Sequence, residues 1–142
     1  MKIFGHPVHI MLIHFPSALF PMDVVCSLLA IYTGKQSFSE AAGYALIAGS
    51  VLGWAAVITG TLDLLMVMKK KPAALKTALI HGGINSTLLM VFSTMAYIDY
   101  TKGTKFPPDL FIVIIKGILV LLMFFGNYFG GKLILKDKVL DE

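Results

Sequence analysis

Residues 108–134, "PDLFIVIIKGILVLLMFFGNYFGGKLI", decide the fold. Between residues 110 and 131 of this stretch the only charged side chain is that of Lys116. The hydrocarbon core of a bilayer is about 30 Å thick, which about 20 helical residues cross. The stretch therefore predicts a transmembrane helix, and the question becomes how many more the chain contains.

Three further apolar runs precede it, at residues 7–33, 42–68 and 74–99. The segments between the runs, "TGKQSFSE", "KKKPAALK" and "DYTKGTKFPPD", carry the glycine, proline and charge that end membrane helices. Because the connections are short, successive helices should be antiparallel neighbours. The sequence predicts one domain, residues 1–142, folded as an all-α integral membrane four-helix antiparallel bundle.

The composition supports this class, since 57% of the residues are apolar and only 14% are charged. The single cysteine, Cys26, excludes an internal disulfide and lies in an apolar run, as a packing residue does. No small-residue cleavage site follows the first run, so we expect that run to stay as a membrane helix. There is no phosphate-binding glycine loop and no nucleic-acid motif, and we expect no nucleic-acid partner.

Lysines decide the predicted orientation, because the chain contains no arginine. Four spans place on the side of both termini the lysines Lys2, Lys69, Lys70, Lys71, Lys76, Lys132, Lys136 and Lys138. The other side receives Lys35, Lys102 and Lys105. The excess of positive charge predicts that both termini are cytoplasmic.

Polar side chains from all four spans fall near one depth close to the lysine-rich side. His14 and His81 each lie about 10 Å into their spans, at 1.5 Å per residue, so the two imidazoles can face each other. Asp63, Asn85 and Asn127 lie in or near the same layer. Such side chains cost roughly 2–3 kcal/mol or more in hydrocarbon and usually face the bundle interior. We therefore expect a site in this layer.

Small residues follow helical spacing beside this layer. They are Gly49, Gly53, Ala56 and Gly60 in the second span, Ala74 and Ala78 in the third, and Gly126 and Gly130 in the fourth. Such faces suit close helix packing, and they also suit the close approach of a flat ligand. Both interpretations stay open at this point.

Two facing imidazoles match the ligation of haem b, which takes one histidine from each of two helices. Structural zinc takes four ligands, and the only thiol lies far from the histidines. We predict His14 and His81 as the haem ligands. Asp63, Asn85 and Asn127 would orient the imidazoles or hold the haem propionates.

A metal ion held by histidines is an alternative, with His6, His9, His14 and His81 as the candidate ligands. The spacing does not place His6, His9 and His14 on one helix face. His6 and His9 have no visible partners on facing helices, so we expect a single haem. Two buried histidines can also hydrogen-bond without any ligand, and that structural interpretation stays open.

Asp23 and Lys116 both fall in the opposite half of the membrane. Opposite charges at one depth in hydrocarbon predict an intramembrane ion pair. A path for protons or ions is the alternative.

The motifs "HPVHIMLIHFPSALFPMDV", "TGTLDLL", "HGGIN" and "GNYFGG" together resemble the bacterial domain-of-unknown-function 2231 membrane family in its single-domain form. Related members fused to a Rieske iron–sulfur domain imply membrane redox work, and the family is similar in outline to small b-type cytochromes. The resemblance implies roles for His6, His9, His14, Asp23, Asp63, His81 and Asn85. The ending "GGKLILKDK" departs from the family's usual aromatic and arginine-rich one.

These expectations combine into a predicted function. The chain is expected to be a b-type haem protein of the bacterial inner membrane that passes electrons as a subunit of a larger redox complex or homo-oligomer. It would be an electron-transfer subunit rather than a stand-alone enzyme, with a redox protein or a quinone as its partner. The alternatives are a metal or proton transporter, which needs polar residues through both leaflets, and a structural membrane subunit.

Overall fold

A computed structural model describes residues 2–3 and 6–136 of the protein, with side chains from residue 8 onward. A two-residue strand, β1 (Lys2–Ile3), pairs antiparallel with β2 (His6–Pro7). Four long helices follow: α1 (Val8–Thr33), α2 (Gln36–Lys70), α3 (Leu75–Lys102) and α4 (Leu110–Leu135). A 3₁₀ turn, Pro72–Ala74, joins α2 to α3. The predicted all-α membrane bundle is confirmed.

The four helices form a ring in which successive helices pack against each other, and α1 closes the ring against α4. All four are long and apolar enough to cross a membrane, and only 17–28% of each apolar window is buried inside the protein. Large apolar side chains such as Phe111 and Leu121 are exposed instead, as lipid contact requires. The starts of α1 and α3 and the ends of α2 and α4 share one end of the bundle, called here the basic end. Its described lysines are Lys69, Lys70, Lys71, Lys76, Lys132 and Lys136.

Helix α2 begins at Gln36, six residues before the predicted start of its span. Hydropathy marks where a helix enters hydrocarbon, whereas the backbone becomes helical earlier. In that first turn the Gln36 amide donates a hydrogen bond to the Glu40 carboxylate, 3.0 Å away. The α1–α2 connection therefore shrinks to two residues. Gly34 adopts a φ of 65°, and its N–H donates to the Ala30 carbonyl, which ends α1.

An apolar plug fills the middle of the bundle. The rings of Phe20 and Phe92 stack at its centre, with centroids 4.0 Å apart and planes 10° apart. The plug takes side chains from all four helices: Phe20, Leu46, Leu88, Leu89, Phe92, Ala96, Val120 and Met123. It divides the polar residues of the bundle into two groups, one at the basic end and one beyond the plug.

The group beyond the plug centres on a buried ion pair. The Lys116 ammonium donates to Oδ1 of Asp23 at 3.0 Å, and the Ser27 hydroxyl donates to the same oxygen at 3.3 Å. Asp23 is fully buried and Lys116 nearly so. The predicted intramembrane ion pair is therefore confirmed, and it joins α1 to α4.

Adding one methyl group at Gly49 is expected to destabilise the protein by about 1 kcal/mol or more. The new Cβ would lie 2.9 Å from Cε1 of Phe20, whose ring is held by its stack on Phe92, and 3.2 Å from Cβ of Leu19. This overpacking outweighs the gain in helix propensity. The measurement is reversible unfolding in mixed detergent micelles.

Gly117→Ala is the matched control for that substitution. Gly117 lies inside α4, and a Cβ there would meet no heavy atom within 4 Å. Alanine at this position should stabilise the helix by about 0.5–1 kcal/mol, because only the propensity term remains. Equal changes in the free energy of unfolding of the two variants would show that the contact at Gly49 is not tight.

Candidate functional site

A cavity of about 1060 Å³ opens among the four helices at the basic end. The Phe20–Phe92 stack lines its inner limit. Six of the residues predicted from the sequence line the cavity: His9, His14, Asp63, His81, Asn85 and Asn127. The side chain of His6, the seventh, lies outside the described residues. The cavity therefore brings most of the predicted polar layer together.

His9 and His81 are each held by a backbone carbonyl of the next helix. Nδ1 of His9 lies 2.8 Å from the Ala56 oxygen of α2, and Nδ1 of His81 lies 2.9 Å from the Gly126 oxygen of α4. A carbonyl oxygen only accepts, so each Nδ1 must carry the proton and donate it. In the neutral form of each imidazole, Nε2 then keeps a lone pair, which is the form that binds a metal.

A glycine completes each of these two arrangements, one turn after the carbonyl. A Cβ at Gly60 would lie 2.7 Å from Cε1 of His9, and one at Gly130 would lie 2.8 Å from Cε1 of His81. Only a residue without a side chain leaves room for the imidazole at that distance. The α1–α2 and α3–α4 hairpins thus each hold a histidine with the same elements: a donated Nδ1 proton, a carbonyl and a glycine four residues later.

The two imidazoles approach each other across the bundle. Their ring centroids are 6.3 Å apart and their planes are inclined at 78°. The expectation that His9 has no partner on a facing helix is wrong. Helix α1 begins at Val8, so His9 lies in its first turn, where its ring reaches both the Ala56 carbonyl and the ring of His81.

His14 lines the same cavity but has a different environment. Its Nδ1 donates to the carbonyl of Ile10 in its own helix at 2.6 Å, and the residue is exposed. His14 lies five positions after His9, which turns its side chain by about 140° around the helix. The structure therefore gives His81 a ring contact with His9, and a ligand role for His14 stays a prediction.

The two asparagines that line the cavity donate hydrogen bonds to neighbouring groups. The Asn85 amide donates to the backbone carbonyl of His81 at 3.0 Å, and its nitrogen lies 3.2 Å from Nδ1 of that histidine. The Asn127 amide donates to the hydroxyl of Ser17 at 3.1 Å, which ties α4 to α1. Asp63 lines the wall from α2. The predicted role of these three residues beside a bound group stays a prediction.

A metal site made only of side chains was the other expectation. Among the described side chains, residues 8–136, no three histidine, cysteine, aspartate or glutamate side chains come together as a set that could hold a metal ion. His9 and His81 form a pair rather than a triad. Ligation of a metal by His6, His9, His14 and His81 stays a prediction, because the His6 side chain lies outside the described part of the chain.

Sequence reasoning missed the pairing of His9 and the two carbonyls that orient the imidazoles. The two hairpins have similar spacings between the histidine and its carbonyl partner. His9 and its carbonyl partner are 47 residues apart, and His81 and its partner are 45 residues apart. No residue type marks a backbone carbonyl as a partner, so this correspondence is visible only once the helices are packed. Ser17 was also missed, since one serine in an apolar run carries little signal.

The chain was compared with known proteins. No curated protein and no solved structure matches it. The model of one family, described as predicted membrane protein DUF2231, matches residues 5–142. That match includes all four helices and every described residue that lines the cavity. The chain therefore belongs to the predicted membrane protein family DUF2231.

Proposed function

We propose that the protein holds one haem b between His9 and His81 and passes electrons within the membrane. The observation that carries the proposal is the pair itself. Two imidazoles from opposite helices face one cavity, and each has its Nδ1 proton donated to a carbonyl, which leaves the Nε2 lone pair for a metal.

The distance between the rings fits an iron held between them. Two metal–nitrogen bonds of about 2 Å each, with the distance from nitrogen to ring centre added at both ends, span about 6 Å. The observed separation of the centroids is 6.3 Å. Direct packing of the two rings also produces such a distance, so the test must detect the iron.

The cavity fits the rest of the group. Its volume of about 1060 Å³ lies at the upper end of the range for small-molecule and cofactor sites. Gly82, Gly83 and Gly131 line it, and a Cβ on any of them would meet no heavy atom within 4 Å. These glycines leave their parts of the wall free of side chains, which suits the close approach of a flat ligand.

In this function the histidines, their carbonyl partners and Asn85 have defined roles. His9 and His81 hold the iron, and the carbonyls of Ala56 and Gly126 fix the rings and increase their basicity as ligands. Asn85 supports the backbone of His81 from within α3. Haem, when bound, supplies a one-electron change of its iron. The apolar plug keeps the cavity separate from the polar group beyond it.

The charge distribution supports an orientation for this function. Six described lysines lie at the basic end and three, Lys35, Lys102 and Lys105, at the other. Under the positive-inside rule this excess supports an orientation with the cavity in the cytoplasmic half of the membrane and both termini in the cytoplasm. Electrons would be exchanged with a redox protein or a quinone, within a larger complex or homo-oligomer.

A metal or proton transporter is the second candidate, and the buried Asp23–Lys116 pair is the observation that favours it. Transport needs polar groups along a route through both leaflets. Between that pair and the cavity lies the apolar plug, which takes side chains from all four helices. The plug therefore favours a site in one leaflet.

A purely structural subunit is the third candidate, and the spectrum described next separates it from the first.

The test is an absorption spectrum of the detergent-purified protein, oxidised in air and then reduced with dithionite. We expect a sharp reduced α band of haem b. His9→Ala and His81→Ala should each abolish that band, because each removes one of the two residues that would hold the iron. His14→Ala should retain it, because His14 lies on a different side of α1.

The three variants form a matched set, since all replace one cavity-lining histidine. Loss of the band in His14→Ala with retention in His9→Ala would return the ligand assignment to His14 and His81. A colourless wild-type protein, purified from cells supplied with haem, would contradict the haem proposal altogether and direct attention to metal analysis and transport assays.

A further inference from the structure

We propose that the cavity binds a quinone dissolved in the membrane, at an opening between α2 and α3 where the hydroxyl of Ser86 donates a hydrogen bond to a carbonyl oxygen of the quinone ring. This inference rests on the proposed function, and it names the partner with which the protein exchanges electrons. A soluble redox protein would be the other partner, and the experiment below distinguishes the two.

Helices α2 and α3 separate between two points of contact. Nearer the plug, a Cβ on Gly53 of α2 would lie 2.6 Å from Cδ1 of Leu89 of α3, so the helices touch there. At the basic end, Ala78 of α3 belongs to one buried cluster with Val67 of α2. Gly82 lies on the same face of α3 between these contacts, and a Cβ there would meet no heavy atom within 4 Å. The wall of the cavity is therefore open at Gly82.

The opening faces the hydrocarbon of the membrane. Four uncharged residues line the cavity and are also exposed: Thr61 of α2, and Leu79, Gly82 and Gly83 of α3. Gly82 lies seven residues after Leu75, the first residue of α3, which is about 10 Å along the helix from the basic end. A soluble protein does not enter hydrocarbon at this depth, whereas an apolar electron carrier dissolves in it. The opening therefore favours a partner that comes from the membrane.

Ser86 supplies a hydrogen-bond donor beside this opening. It lines the cavity one turn after Gly82, and its hydroxyl has no hydrogen-bond partner among the side chains and backbone of residues 8–136. The adjacent Thr87 shows the usual arrangement in a membrane helix, since its hydroxyl donates to the carbonyl of Gly83 at 2.8 Å. A serine side chain is one carbon long, so the hydroxyl of Ser86 lies at the wall itself. An unsatisfied hydroxyl in hydrocarbon costs free energy, and a carbonyl oxygen of a ligand would remove that cost.

A quinone has the chemistry that these features require. Its ring is flat and uncharged, its carbonyl oxygens accept hydrogen bonds, and its apolar tail can stay in the bilayer. Gly82 and Gly83 let a flat ring approach the backbone, and Gly82 directly follows His81 in the chain.

Electron exchange at this opening balances as follows. A quinol that becomes a quinone gives up two electrons and two protons. The irons of two haem-loaded protein molecules would take one electron each, because haem iron changes by one electron. The protons would pass to water at the basic end, where the cavity opens.

The experiment measures binding of decylubiquinone to haem-depleted protein by quenching of Trp54, the single tryptophan of the chain. Trp54 lies seven residues before Thr61 on α2, about 10 Å from the opening. We expect saturable quenching above the linear quenching by quinone dissolved in the micelle. Ser86→Ala should weaken binding about three- to tenfold, the scale of one hydrogen bond. Gly82→Leu fills the opening and should abolish the saturable component.

Each substitution has a matched control. Thr87→Val removes the hydroxyl next to Ser86, which is already bonded to a carbonyl and does not line the cavity. Gly117→Leu makes the same change as Gly82→Leu at an open position of α4 outside the cavity. Both controls should bind decylubiquinone as wild type does.

A second measurement follows the reduced α band of haem-loaded protein after decylubiquinol is added without oxygen. The rate should fall in Ser86→Ala and Gly82→Leu and stay unchanged in the two controls, while dithionite reduces all five proteins fully. Equal quenching in all five proteins, or a wild-type rate in Gly82→Leu, would overturn the inference and leave a soluble redox protein as the partner. A wild-type protein that binds no haem would overturn the proposed function itself, and the quenching of haem-depleted protein is measured independently of that result.

Discussion

Lys116→Met is expected to destabilise the protein by about 3–5 kcal/mol, because it leaves the fully buried Asp23 carboxylate without its cation. Breaking one side of a buried ion pair costs far more than replacing both sides. The double variant Asp23→Leu/Lys116→Met should therefore recover most of the lost stability. Reversible unfolding in mixed detergent micelles measures the three free energies.

Lys105→Met supplies the control for this experiment. Lys105 also pairs with an aspartate, Asp109, but at 3.8 Å and with both side chains largely exposed. Removal of such a pair should cost about 0–1 kcal/mol. If Lys116→Met cost no more than Lys105→Met, the buried pair would not stabilise the bundle, and a transport role for Asp23 would gain weight.

Gly130→Ala is expected to weaken haem binding about 10- to 100-fold. The new methyl carbon would lie 2.8 Å from Cε1 of His81, so the ring must turn and lose its hydrogen bond to the Gly126 carbonyl. Loss of a group that orients a ligand imidazole typically has an effect of this size. Alanine meanwhile favours the helix.

Gly131→Ala is the control, because Gly131 also lines the cavity but has open space where its Cβ would be. We expect it to bind haem like wild type. Gly60→Ala should reproduce the effect of Gly130→Ala through His9, since the two glycines have equivalent positions. Titration of haem-depleted variants, with thermal unfolding alongside, checks both affinity and stability. Tight haem binding by Gly130→Ala would mean that binding does not depend on the hydrogen bond from His81 to the Gly126 carbonyl.

The fold was predictable because hydrocarbon imposes a simple length rule. Four apolar runs predicted the four helices. Asp23 and Lys116 predicted the ion pair, because two opposite charges at one depth in hydrocarbon have few other partners. The start of α2 was not predictable from hydropathy. Gln36 and Glu40 are polar, and they are helical through their own side-chain contact.

The depth of the site in the membrane was predictable, but which two histidines face each other was not. Depth along a helix follows from counting residues, which placed His81 and Asn85 in the correct region. The direction in which each ring points depends on rotation around α1 and on backbone carbonyls. No residue type marks a carbonyl such as that of Ala56, so His14 and His9 could not be told apart until the helices were packed.

The repeated arrangement of histidine, carbonyl and glycine has a consequence for biogenesis. Each imidazole is oriented within its own hairpin, His9 by α2 and His81 by α4. Membrane helices insert first and associate afterwards. Each hairpin leaving the insertion machinery can therefore carry a finished half-site, and the complete site needs only the docking of two preassembled halves around whatever they enclose.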